Sequence, residues 1–280
     1  MRRELAEKAA RLKEIVAESG GAVVAYSGGV DSTLLLRVAV EVLGERALAV
    51  TARSETYPAH EVEEAVARAR EMGARLREIH TEELEQEEFA ANPPERCYYC
   101  KRELFGKLVE IAKEEGLAVV VDGANVDDTS DFRPGARAGA ELGVRSPLRE
   151  AGLTKAEIRE LSREYGLPTW DKPSFACLAS RFPYGDRITR EELAKVAAAE
   201  EVLRGLGLRQ FRVRNHGTVA RIEVEAEDLP RLVAPERRAR IARKLHELGY
   251  TYVTLDLDGY RTGSMNEGIG NREEGIGNRG

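Results

Sequence analysis

The chain has 280 residues, 42% hydrophobic and 33% charged, enough apolar material for one large domain and one small one. Its 43 Lys and Arg against 49 Asp and Glu leave a net charge of -6, which excludes a global electrostatic attraction to nucleic acid. No apolar run approaches the roughly 20 residues that span a bilayer, and the opening MRRELAEKAARLKEIV is a charged amphipathic helix instead of a secretory leader, so a cytoplasmic protein without membrane contact is expected.

A helix is predicted over 1–18, and Gly20 and Gly21 break it before the apolar run 22–26, which reads as a buried strand. The unit then repeats: helix 32–43, strand 47–50, helix 60–72, strand 76–79, helix 102–115 and strand 118–121. Alternating apolar strands and amphipathic helices imply an α/β fold, a parallel sheet with helices on both faces, whose ligands collect at the carboxyl ends of the strands. Over 122–184 the pattern loosens into loops around a short helix at 155–165, which suits a substrate-facing surface. A second pattern follows: helix 190–206, strands 211–214 and 218–224, helix 228–248 and strand 251–255, fitting a small open sheet with helices on one face. The expected division is a first domain over 1–184, a smaller α+β domain over 185–264 and a linker near 182–189. The remainder, 265–280, repeats EGIGNR twice and reads as a flexible tail without catalytic consequence.

Between the first strand and its helix lie Ser27, Gly28, Gly29, Val30, Asp31 and Ser32, and Ala25 of the strand is a further candidate contact for the nucleotide. Two consecutive glycines let backbone approach an anion, two hydroxyls add donors, and the helix start supplies oriented N–H groups and a positive dipole. The stretch lacks the Gly-Lys-Ser/Thr ending of a Walker loop and the glycine spacing of a dinucleotide fingerprint. It closely resembles the SGGxDS signature of the PP-loop ATP pyrophosphatases. That resemblance implies ATP binding, a loop that holds the leaving pyrophosphate, and Asp31 as a ligand of the Mg²⁺ that offsets its charge. Thr51 and Arg53 fall where the superfamily contacts adenosine. The segment DGANVDD, with Gly123, Asn125 and Asp127, resembles its second nucleotide segment.

Three cysteines are too few for a disulfide framework. Cys97 and Cys100 form a C-x-x-C just ahead of a predicted helix, and Cys177 lies far downstream in SFACLASR. Spacing alone leaves open a redox pair, half a zinc site or part of an iron–sulfur site. The polar and aromatic flanks of the pair favour metal binding over burial as small hydrophobes. Three thiolates suit a four-iron cluster with one iron left open.

Taken together, SGGVDS, ERCYYCK, DGANVDD, DKPSFACLASRFPYG and TLDLDGYRTGSMN resemble the LarE family from about residue 15 to Asn266, and CLASRFPYG is the most specific of these stretches. The resemblance implies an ATP-dependent sulfurtransferase that builds the precursor of the nickel-pincer nucleotide of lactate racemase. A carboxylate of pyridinium-3,5-biscarboxylic acid mononucleotide would be activated as its acyl-adenylate and then converted to a thiocarboxylate, twice over. The family has two sulfur sources. A single cysteine, matching Cys177, is consumed, or three cysteines hold a [4Fe-4S] cluster that carries an exchangeable sulfide. With Cys97, Cys100 and Cys177 all present the cluster type is expected, Cys177 acting as ligand.

Arg212 and Arg214 alternate along a predicted strand, so that both guanidinium groups reach one anion. By resemblance they hold the substrate's nucleotide phosphate, with Ser180 and Arg181 beside Cys177 as further ligands. Glu200 and Glu223 are weaker candidates for a divalent ion, and His216 and His246 carry no specific signal. The resemblance also suggests a homo-oligomer and leaves the sulfide source unnamed. A PP-loop iron–sulfur tRNA thiolase shares the loop and the cysteines but calls for a basic face, against which the net charge argues. A non-catalytic ATP-binding sensor leaves the cysteines without a role, and nothing resembles the ammonia-supplying partner of the amidating relatives.

Overall fold

The computed structural model describes residues 2–130, 134–261 and 265. The chain forms two compact units, the first running to Phe175 and the second beginning at Ala176. The repeated segment 267–279 lies outside the described residues.

The first unit opens with α1 (Arg3–Glu18), whose Leu5, Leu12, Ile15 and Val16 recur at helical spacing and form its buried stripe. Then follow β1 (Ala22–Ala25), α2 (Val30–Leu43), β2 (Ala47–Arg53), α3 (Ala59–Glu71), β3 (Arg75–His80), α4 (Glu87–Ala90), α5 (Arg96–Glu114) and β4 (Val119–Val121). After β4 come α6 (Pro134–Glu141), α7 (Pro147–Glu150) and α8 (Lys155–Glu164). The four strands pair in parallel in the order β3-β2-β1-β4, with Ala22 level with both Ala47 and Val119.

The two-residue period of the strands divides their side chains between two cores. Ala22, Val24, Ala47, Ala49 and Val121 join α1, α2 and α8 on one side, while Val23, Leu48, Val50 and Val120 join α5 on the other. Each fully buried Val or Leu contributes about 1.5–3 kcal/mol, so both faces of the sheet are strongly specified. The exposed edge strand β3 is charged, and Arg75 and Arg77 pair with Glu115 and Glu114 at 2.7 Å, which blunts the edge against further pairing.

The second unit contains a 3-10 turn (Leu178–Arg181), then α9 (Arg190–Arg204), β5 (Phe211–His216), β6 (Val219–Val224), α10 (Leu229–Val233), α11 (Pro235–Glu247) and β7 (Tyr252–Leu255). Strand β5 pairs antiparallel with β6, and β6 parallel with β7. Phe211, Val213, Ala220, Ile222 and Val224 fill a core with Leu203, Ile241, Leu245 and Tyr250.

The break between units precedes the linker expected near 182–189, because the 3-10 turn is tied into the second unit by the buried Arg181–Glu200 pair. The helix expected over 228–248 is two helices. Ala234 stands before Pro235 and takes an extended conformation, φ -53° and ψ 134°, because the proline ring disfavours helical backbone in the residue ahead of it. The helix expected to begin at 102 begins at Arg96, so the C-x-x-C lies within its first two turns instead of ahead of it.

Candidate active site

The SGGVDS segment leaves the carboxyl end of β1 and enters α2. Gly28 takes φ +72°, a left-handed conformation open to glycine, and a Cβ there would meet the Ala65 Cβ of α3 at 2.6 Å. The chain can turn here against α3 only because position 28 has no side chain. The Ser27 and Ser32 hydroxyls lie 3.1 Å apart, and the Ser27 N–H donates to Ser32 Oγ at 3.3 Å, which closes the loop on itself. Gly29 is the N-cap of α2, so the opening N–H groups of a 14-residue helix face the loop without intrahelical acceptors. The positive end of the dipole and these donors make the loop an anion cradle.

Asp31, in the first turn of α2, is clasped by the loop after β4 and by the start of α8. Asn125 Nδ2 donates to Asp31 Oδ1 at 3.2 Å, and the Lys155 ammonium pairs with Oδ2. Gly123 lies so close that a Cβ would come within 3.0 Å of the Ser32 nitrogen. Asp127 accepts the backbone N–H of Lys155 at 2.7 Å, and Val126 N–H donates to Leu153 at 3.1 Å. The sheet order explains the meeting, since β4 pairs directly with β1 and brings the loop after one to the loop after the other. Of the predicted nucleotide residues, Ala25, Ser27, Gly28, Gly29, Val30, Asp31, Ser32, Gly123, Asn125 and Asp127 therefore share one end of the sheet.

Thr51 and Arg53 lie on β2, beside this loop. Thr51 is buried and donates to the Tyr26 carbonyl at 3.0 Å, while Arg53 Nε donates to Glu78 Oε2 of β3 at 2.6 Å. Beyond β2, the buried Glu83 accepts the hydroxyls of Ser54 and Thr56 at 2.7 and 2.6 Å and braces the loop. Neither this trio nor Lys155 is among the residues expected from the sequence. The trio carries no recognisable spacing. Lys155 does carry a signal, because it is the first residue of α8, capped by Thr154, where the helix dipole repels a cation by about 0.5 kcal/mol. A lysine at that position asks for an acidic partner elsewhere.

Cys97 is exposed and Cys100 half-buried, one turn apart on α5, so both sulfurs issue from one side of the helix. Helix α6 lies against this turn: a Cβ on Gly135 would come within 3.3 Å of the Cys97 carbonyl. Tyr98 donates to Glu141 at 2.7 Å, with Arg137 4.1 Å above its ring.

In the second unit, half-buried Cys177 caps the 3-10 turn. Ser180 Oγ donates to the Cys177 carbonyl at 2.8 Å. Arg181, 0% exposed, donates from Nη1 to the carbonyls of Ala176 and Cys177 at 2.7 and 3.0 Å, and from Nε and Nη2 to both oxygens of Glu200. Glu200 also accepts the Val213 N–H at 3.1 Å. This bidentate pair welds the cysteine loop to α9 and β5.

Because Val213 and Ile222 face the apolar core, the strand period puts Arg212, Arg214, Arg221 and Glu223 on the other face of the sheet. Arg214 donates to Glu223 at 2.7 Å and to the Ser180 carbonyl at 3.1 Å, and Arg221 reaches Glu223 at 3.2 Å and pairs with Asp256. Arg212 is buried, with its guanidinium 5.1 Å from the Tyr260 ring. Burial first, and then the cations Arg181 and Arg214, lower the pKa of this guanidinium to about 10, against the opposing effects of Tyr260 and Glu200. The suggestion that Glu200 and Glu223 hold a divalent ion is corrected: both carboxylates are buried as arginine partners. Among the described residues no three His, Cys, Asp or Glu side chains gather as a metal site. No helix among them is long and apolar enough to cross a membrane.

A family model described as NAD synthase matches residues 4–95, the part that carries the loop. An uncharacterised protein of Synechocystis is 44% identical over 262 residues, 94% of this chain and 98% of that protein. A pyridinium-3,5-bisthiocarboxylic acid mononucleotide synthase of Lactiplantibacillus plantarum is 41% identical over 265 residues, 94% of this chain and 95% of the relative. An uncharacterised protein of Methanocaldococcus jannaschii is 31% identical over 240 residues, 86% and 90% respectively.

Proposed function

The chain belongs to the LarE family of PP-loop enzymes, the pyridinium-3,5-bisthiocarboxylic acid mononucleotide synthases, and from that premise we propose that it transfers sulfur to the two carboxylates of pyridinium-3,5-biscarboxylic acid mononucleotide at the expense of ATP. A carboxylate oxygen attacks the α-phosphorus, the bond to the β-phosphate breaks and pyrophosphate leaves. A sulfur nucleophile then displaces AMP from the acyl-adenylate and leaves a thiocarboxylate, and the second carboxylate follows the same course. Adenylation is needed because a carboxylate is a poor electrophile whose oxide does not leave.

The observation that carries this reading is the anion cradle of Ser27 to Ser32 with the clasped Asp31 at its centre. In it the loop and helix N–H groups bind the pyrophosphate, Asp31 offers oxygen to Mg²⁺, and Thr51, Arg53, Gly123, Asn125 and Asp127 shape the nucleotide's surroundings. On the second unit, Arg212 and Arg214 bind the substrate's phosphate. Arg181, enclosed and bonded to Glu200, acts by fixing the Cys177 loop, with Ser180 beside it.

The donor chemistry of Cys97, Cys100 and Cys177 fits a [4Fe-4S] cluster: three soft sulfur ligands, none more deeply enclosed than half-buried. When bound, the cluster would supply an exchangeable sulfide on its open iron. The rival source is Cys177 itself, losing its sulfur to become dehydroalanine. Iron and acid-labile sulfide are measured after anaerobic reconstitution of the wild type and of Cys97→Ala. About four irons per chain, lost in the variant, support the cluster. No iron in either, with a loss of about 34 Da at Cys177 after turnover, refutes it in favour of the consumed cysteine. Release of AMP and pyrophosphate that does not depend on the dicarboxylate mononucleotide would refute the wider reading.

A further inference from the structure

We propose that Glu83 is a positioning residue for the nucleoside half of ATP: it holds the loop after β2 in the shape that receives adenosine, and the phosphate cradle does not depend on it. The inference rests on the reading of SGGVDS as an ATP site with Thr51 and Arg53 beside the adenosine, and adds to it a residue outside the recognised motifs.

Glu83 opens a 3-10 turn (Glu83–Glu85) after β3 and is 1% exposed. Its Oε1 accepts Ser54 Oγ at 2.7 Å and Thr56 Oγ1 at 2.6 Å, and the two hydroxyl oxygens lie 2.7 Å apart. The Thr56 N–H donates back to Ser54 Oγ at 3.2 Å. These residues directly follow Arg53, whose carbonyl accepts the Thr81 N–H at 3.0 Å, so the bonds fix the chain where it leaves the carboxyl end of β2. The turn that carries Glu83 is itself anchored, since Glu103 of α5 accepts the Glu82 N–H and the Gln86 side-chain amide, each at 2.7 Å. The support therefore runs from α5 through Glu83 to the end of β2. It shares no bond with the Ser27–Ser32 contact or with the clasp of Asn125 and Lys155 on Asp31.

The other oxygen marks this side chain as kept for position instead of stability. Glu83 Oε2 is buried without a partner among the described residues, and none of their cations pairs with the carboxylate. A buried carboxylate without a cation carries a desolvation cost that an apolar side chain of similar size does not. Such costs are borne at functional sites, and this one lies at the strand ends where ligands of parallel α/β sheets collect.

The test compares the full chain with Glu83→Met, Glu83→Gln and Thr56→Val by urea unfolding and by calorimetric titration with AMP and with inorganic pyrophosphate, both in the presence of Mg²⁺. In Glu83→Met the stability should hold or rise, since the unpartnered oxygen is gone and Ser54 and Thr56 still bond each other. The same variant should bind AMP about tenfold more weakly, the scale of one hydrogen bond to a charged group, and pyrophosphate within about twofold of wild type. Glu83→Gln retains an acceptor oxygen and should stay within about twofold for AMP, whereas Thr56→Val, short of one of the two hydroxyls, should lose about fivefold. An unchanged AMP affinity in Glu83→Met, or a joint loss of AMP binding, pyrophosphate binding and stability, overturns the proposal. If Glu83→Met does not fold, the two affinities of Thr56→Val decide in its place: a loss confined to AMP sustains the proposal, and no loss or an equal loss overturns it. A wild-type chain that binds neither probe removes the ATP-site premise instead, and the proposal with it.

Discussion

Replacing Gly28 by alanine separates two costs that the loop avoids by having no side chain there. One is conformational: at φ +72° an L-residue carries about 1–2 kcal/mol of strain. The other is steric, because the new Cβ would lie 2.6 Å from the Ala65 Cβ and 3.1 Å from its Cα, and relieving such overpacking costs about 1–3 kcal/mol. The sum of about 2–5 kcal/mol is a large part of the roughly 5–15 kcal/mol that holds a domain folded. Ala65→Gly removes the obstructing methyl at about 1 kcal/mol, since position 65 lies inside α3. In Gly28→Ala/Ala65→Gly the steric part should be recovered and the conformational part should persist, giving a coupling of about 1–3 kcal/mol between two residues 37 positions apart. Urea unfolding of the four proteins measures it, with ATP titration calorimetry alongside. Additivity within about 0.5 kcal/mol would refute the view that α3 dictates a bare residue 28.

Two further outcomes follow from buried and capping charges. Arg181→Met strands Glu200 in the interior and should destabilise the second unit by about 3–5 kcal/mol in chemical unfolding, and a matching apolar change at Glu200 should restore much of it; an effect below about 1 kcal/mol would show the pair is dispensable. At Glu157, burial acts to raise the carboxyl, but Lys8 and the N–H and hydroxyl of Thr154 outweigh it and hold it below its ordinary 4.5. Its contribution is therefore complete above pH 4.5 and is lost as the pH falls through the lower folded value, so Glu157→Gln should cost about 1 kcal/mol near neutrality and nothing at the acid end of that window. A stability gap between the two proteins that stays constant across the window would contradict this account.

The nucleotide end was legible because its signal is local. Gly28, Gly29, Asp31 and Ser32 are neighbours in the chain, and the apolar run ahead of them announces the strand that presents them. The clasp on Asp31 was legible only in part. DGANVDD stands out as a motif, whereas Lys155, 124 positions from Asp31, shows in the sequence only as the start of a short helix. The arginines of β5 illustrate the converse. Their alternation gave the face they share, while their burial and pairing with Glu223, the Ser180 carbonyl and Tyr260 came from other strands and loops.

By itself the sequence determined what depends on period and on bonds within a few residues: the order of the strands, the shared face of Arg212 and Arg214, and the glycine-rich turn between β1 and α2. Tertiary structure alone decided what depends on which distant segments meet. It placed β4 beside β1, so that Asn125 and Lys155 reach Asp31. It turned Glu200 and Glu223 from candidate ion ligands into arginine partners, and it divided the chain at Phe175. The physical reason is that a buried charge is costly until a partner is found, and in this fold those partners lie on other elements, the adjacent one for Arg181 and Glu200 and one 124 positions away for Asp31 and Lys155.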